Sequence, residues 1–179
     1  MLTARGRLGL RSRAMAAKKR PTAEDRSQTI RMALDGMAGG VDVADLARQL
    51  EPLHPKHDTF PGEVFLELAA DALEEGGISR DQPVGYEGIR ERYLPERQFR
   101  GRTEHHRSHY ALRAVAMIRS GITPDVLEEV SWWDTNDLWV WSLYALLIYV
   151  RVAAERTGEP AGVICQRLAR RQGVELAEA

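Results

Sequence analysis

Two groups of side chains in this sequence have the types and spacing to do chemistry. All five histidines fall in them: His54 and His57 beside Asp58 in HPKHD, and His105, His106 and His109 in EHHRSHY. The second group lies inside residues 97–113, which carry five arginines and three histidines against Glu104 alone. A helix starting at Thr103 puts His105 and His109 four residues apart on one face, the spacing of a two-histidine clamp on a divalent transition metal such as zinc. Asp58, Glu63 and Glu67 are carboxylates available to complete such a site. Against it, Arg107 repels a cation from within the cluster, and no HExxH, paired CxxC or EF-hand pattern accompanies the histidines. The first expectation is therefore no cofactor, with the metal pair His105 and His109 as the alternative.

The same segment supports anion binding. Arg97, Arg100, Arg102 and Arg107, with His109, offer donors that suit phosphate and carboxylate alike. The chain also contains an opposite charge. Glu63, Glu67 and Asp71 stand at successive i,i+4 steps, joined by Glu74 and Glu75, with no basic residue between Asp58 and Ser79. Like charges at that spacing repel, so a cation should lie nearby. Pairing between this acidic face and residues 97–113 is the expected arrangement; an external anion is expected if the two segments lie apart.

Other chemistries lack their motifs. There is no Walker A loop, no GxGxxG turn and no GxSxG elbow. The pair His57 and Asp58 resembles the dipeptide of all-helical HD phosphohydrolases, but it sits in a proline-flanked loop rather than on an apolar helix, so that family is not carried over. Cys165, the only cysteine, falls in the apolar series of a helix and reads as a small core residue rather than a nucleophile. Four tryptophans fall within ten residues, at 132, 133, 139 and 141. Beside an apolar helix these are core residues, with Trp132 and Trp133 the better candidates for an exposed role.

The elements that must position these groups are helices. Residues 138–150, LWVWSLYALLIYV, have Ser142 as their only polar interruption. The run is too long for a typical strand and continues in good helix formers, which predicts a helix over about 135–156 that is apolar on every side and has to be surrounded. At 1.5 Å per residue it spans roughly 20 Å, short of the roughly 30 Å of a bilayer core, so a membrane span is not expected. Trp139, Leu143, Leu146, Leu147 and Val150 are its expected buried positions, and every other element reads as cladding. Those elements announce themselves by their ends. Thr22 and Asp25 form a capping box, Gly39 and Gly40 stop the first helix, and a short helix follows from Asp42. Another runs from about Pro61 to Glu75, then come shorter pieces around Ile89 to Leu94, after Thr103 and after Thr123. A last helix opens at Pro160 and ends near Gly173.

The expected fold is all-α, an irregular bundle of about seven helices around the central apolar one. Residues 1–20 read as a basic disordered tail with Met15 as the true start, 21–173 as the helical domain and 174–179 as a C-terminal tail. With 44% hydrophobic and 28% charged residues, the 179-residue chain has an ordinary globular composition, and its net charge of -1 argues against whole-surface binding to DNA. A single cysteine and the absence of a secretory apolar region fit a reducing cytoplasm. Lysine occurs only at 18, 19 and 56 among many arginines, and Asn136 is the lone asparagine, the bias of a GC-rich, bacterial coding sequence. With no catalytic constellation, the expected function is a non-catalytic interaction or regulatory module whose partner is a protein or a second copy of itself. The alternative is a phosphate, nucleotide or nucleic-acid binder acting through residues 97–113.

Overall fold

The computed structural model describes residues 21–54, 60–79, 115 and 138–177. Among these, five helices and no strands are found: α1 (Ala23–Ala38), α2 (Val43–Leu50), α3 (Phe60–Glu75), α4 (Leu138–Thr157) and α5 (Ala161–Arg171). The described part is thus all-α, as the periodicity requires. The helical pieces expected around residues 89–94, after Thr103 and after Thr123 lie outside the described residues, apart from the buried, helical Val115.

Local chemistry sets the helix ends. At the start of α1 the Thr22 hydroxyl accepts from the Asp25 N–H (3.1 Å), and the Asp25 carboxylate accepts from the Thr22 N–H (2.7 Å), satisfying two donors that the helix cannot. Gly40, with φ of 73°, lets the chain turn out of α1, while the Val41 N–H closes on the Gly36 carbonyl (2.9 Å). Asp42 then caps α2 by accepting from the Ala44 N–H (2.8 Å). Gly158, with φ of 71°, makes the turn between α4 and α5, and the Glu159 N–H satisfies the Ala154 carbonyl.

The apolar helix α4 is buried along most of its surface, including Trp139, Leu143, Leu146 and Val150. Leu147 departs from expectation: it is half-buried on a stripe with Val140 and Ala154, whose least covered member is the exposed Arg151. A larger departure concerns α3, which is not cladding. Val64, Phe65, Leu66, Leu68, Ala69, Ala70, Ala72 and Leu73 are all buried, so α3 shares the centre with α4. The two helices lie close because small residues meet at both ends of their contact. A Cβ at Gly62 would stand 3.4 Å from the Trp139 Cα and the Ser142 Oγ, and one at Gly76 would stand 3.0 Å from the Ala153 Cα. Gly62 matched to Trp139 and Ser142, and Gly76 to Ala153, means that α3 and α4 run in the same direction in step.

Around this pair, α1 and α5 run antiparallel, with Ala38 beside Gly162 at one end and Arg26 bonded to Gln172 at the other. The short helix α2 rests on α1, with Leu46 filling the space over Gly36. Among the described residues no helix is long and apolar enough to cross a membrane.

Three substitutions test this packing in denaturant unfolding. Leu146→Ala is expected to cost about 2–5 kcal/mol, and Leu147→Ala on the half-buried stripe distinctly less. Gly76→Val, which drives a branched side chain into the Ala153 backbone, is expected to cost about 1–3 kcal/mol.

Candidate functional site

The residues singled out for anion or metal binding, Arg97, Arg100, Arg102, Arg107, His105 and His109, lie outside the described residues, as do His57, Asp58, Trp132 and Trp133. What is described is the acidic face expected to answer them, and among the described residues α1 and α5 supply cations to it. Glu67 pairs with Arg26 of α1 at 2.6 Å. The same guanidinium reaches the Gln172 side-chain oxygen Oε1 (3.3 Å), and the Gln172 side-chain amide Nε2 donates to the Asp71 carboxylate (3.0 Å). One turn on, Arg171 of α5 holds Glu75 (2.6 Å) and Glu74 (3.3 Å). Arg167 stands 3.8 Å from Glu75 and grips both oxygens of Glu159 at 2.7 and 2.5 Å.

This network solves a local electrostatic problem. Glu74 and Glu75 are at the C-terminal end of α3, where the helix dipole is already negative. Because α4 runs parallel to α3, its own negative end is on the same side. Arg156 of α4 donates to the Gly76 carbonyl (2.8 Å), and Arg167 and Arg171 project from α5 against the two glutamates. Glu75 is the least solvated carboxylate of the set, its side chain 11% exposed, which makes its two arginines a requirement rather than a surface ornament. The pairing expected between this face and residues 97–113 lies outside the described residues; within them Glu67 is bonded to Arg26 of α1.

His54 is buried, with 4% exposure. Its Nε2 lies 2.9 Å from the Thr29 hydroxyl, which spends its single proton on the Asp25 carbonyl (2.8 Å). With that proton on the Asp25 carbonyl, the pair is completed when the ring Nε2 is the donor. The ring packs tilted against Phe60, with centroids 6.0 Å apart. His54 thus ties the end of α2 to α1 and to the start of α3. Among the described residues no group of three or more histidine, cysteine, aspartate or glutamate side chains is placed to hold a metal ion.

The remaining candidates are core. Cys165 is fully buried, and desolvation, with the Asp35 carboxylate adding to it, pushes its thiol up to about 12. A thiol so protonated is a poor nucleophile. Burial also raises the Tyr144 phenol, with a smaller contribution from Asp42. Trp141 stacks on Tyr144 at 5.6 Å between ring centroids, and Trp139 is buried. Among the described residues the Trp139 indole N–H meets no acceptor, a deficit worth about 1–3 kcal/mol.

Three outcomes follow for stability and reactivity. Arg171→Ala, which strips the closer cation from Glu75, is expected to cost about 1–3 kcal/mol in a denaturant melt, whereas Arg48→Ala at the exposed pair with Asp45 should cost under about 0.5 kcal/mol. Because the folded state raises the Cys165 thiol above its unfolded value, stability is expected to be level below pH 9 and to fall as pH rises from 9 towards 12, by about 4 kcal/mol at most. A pH series of thermal melts of the wild type and Cys165→Ala checks it, the variant showing the weaker alkaline decline. Native protein at pH 8 should react with a thiol-specific dye only through unfolding. Compared with protein-family models, curated proteins and solved structures, this chain matches none.

Proposed function

We propose that this chain is a non-catalytic, cytoplasmic interaction module whose helical scaffold presents a binding surface to a protein partner, a second copy of the chain being the first candidate. The observation that carries this reading is the use made of the ionisable side chains. Glu67, Asp71, Glu74, Glu75, Arg26, Arg167 and Arg171 form a continuous brace between α1, α3 and α5, and Cys165 and His54 are buried and committed to packing. Groups spent on holding helices together are not poised for acid, base or nucleophilic work. Native mass spectrometry of the purified full chain is expected to show either a dimer or a defined protein complex, with no turnover-dependent ligand. A strictly monomeric species that retains a small molecule would overturn the reading.

A second reading has one observation in its favour. Glu67 and Glu75 are bonded to Arg26, Arg167 and Arg171, which reduces the acidic charge in the chain that can neutralise Arg97, Arg100, Arg102 and Arg107. An external phosphate, of a nucleotide or a nucleic acid, is then the natural counter-charge, with a metal at His105 and His109 as its companion. On this reading, binding to a phosphate-rich polymer weakens steeply with salt. Arg100→Ala combined with Arg102→Ala flattens the log–log slope by about two. Absence of binding at low salt by folded protein would remove it.

A further inference from the structure

The described C-terminal residues are seated on α1 in an unusual way. After Gly173, whose φ of 67° ends α5, Val174 is buried and its N–H closes on the Ala169 carbonyl at 2.9 Å. The chain then leaves helical structure and runs along α1. Arg31 donates from Nε to the Glu175 carbonyl (3.2 Å), and the Asp35 carboxylate accepts from the Ala177 N–H (3.1 Å). Arg31 and Asp35 are one helical turn apart, about 6 Å, which matches the step between alternate residues of an extended segment. Both contacts are to backbone groups, so α1 grips the tail's main chain; Val174 supplies the deep side-chain anchor, and the partly buried Leu176 packs against the core beside it. On the opposite edge the tail is undercut by a groove of about 590 Å³, lined by Gln166 and Arg170 of α5 and by residues 174–177 themselves.

We infer that the α1–α5 seam is a docking site for a short extended peptide with an aliphatic anchor residue, and that residues 174–177 are its resident, releasable occupant. This deepens the reading of the chain as an interaction module and rests on it. The chemistry of the occupant is written in the tail: an aliphatic residue for the Val174 socket, then a carbonyl for Arg31 and an N–H for Asp35 at alternate positions. A seat that reads backbone in this way accepts any extended segment carrying the anchor, as grooves that recognise peptide main chain do. The tail holds the seat through two hydrogen bonds, the buried Val174 and the partly buried Leu176, and Gly173 provides the hinge on which it leaves. An incoming peptide therefore competes with an intramolecular strap, and a tail seated nine-tenths of the time weakens that peptide about tenfold.

The probe is a fluorescent peptide with the sequence of residues 172–179, titrated by anisotropy against the full chain. Val174→Asp, which expels the resident tail, is expected to bind the peptide about tenfold more tightly than the wild type. Adding Arg31→Ala and Asp35→Ala to that variant should abolish the gain. Equal affinities of the wild type and Val174→Asp, or indifference to the α1 substitutions, would overturn the proposal. Should Val174→Asp fail to fold, carboxypeptidase digestion of the wild type and of Arg31→Ala with Asp35→Ala decides: residues 177 to 174 should be released faster from the variant, and equal rates would overturn it. Native mass spectrometry of the wild type reports separately on the interaction-module reading. A chain that forms complexes yet ignores the peptide sinks the seat alone.

Discussion

The close parallel contact between α3 and α4 is the constraint on which the rest of the structure depends. Two helices approach this closely where one side lacks side chains at the contact: Gly62 faces the Trp139 backbone and Ser142, and Gly76 faces Ala153. Close approach brings buried side chains of both helices, such as Phe65, Leu68, Leu143 and Leu146, into one core. Parallel packing also has an electrostatic cost, because two negative helix ends are placed side by side. The acidic residues at the end of α3 add to it. The arginines Arg156, Arg167 and Arg171 gather there in response, adding charge pairing to the core contacts that Ile164, Cys165 and Leu168 of α5 make.

Much of the local structure was legible in the sequence because it follows from neighbours in the chain. The capping box at Thr22 and Asp25, the glycine stop after α1, Asp42 at the start of α2 and the opening of α5 at Pro160 are each determined within a few residues. So is the burial of Cys165, one turn from Leu168 in an apolar series. The apolar run over residues 138–150 announced a helix that had to be enclosed, and α4 is that helix.

What the sequence concealed depends on which helix lies against which. The stripe Glu63, Glu67 and Asp71 was visible, and so was its need for cations, but Arg26 and Arg171 are far from it in the chain and nothing in their own neighbourhoods marks them as its partners. In sequence α3 read as cladding, and only the contact with α4 shows its small residues to be the surface that permits a shared centre. His54 had the appearance of one member of a reactive group. Its bond to Thr29 depends on α2 folding back under α1, which residue spacing alone does not fix. The brace from Arg26 through Gln172 to Asp71 is also what brings the C-terminal tail beside α1, so that charge pairing, helix order and the position of a candidate docking seam are consequences of one arrangement.

Native-state hydrogen exchange tests the account's central claim most directly, because it ranks the helices by how much of the molecule must open to expose them. If α3 and α4 form the shared centre, amides of residues 64–73 and 143–153 exchange slowest and only through global unfolding, with opening free energies equal to each other and to the denaturant value. The termini of α1 and α5 and residues 174–177 exchange through smaller openings. Exchange of α4 at distinctly lower free energy than α1 or α5 would contradict the account.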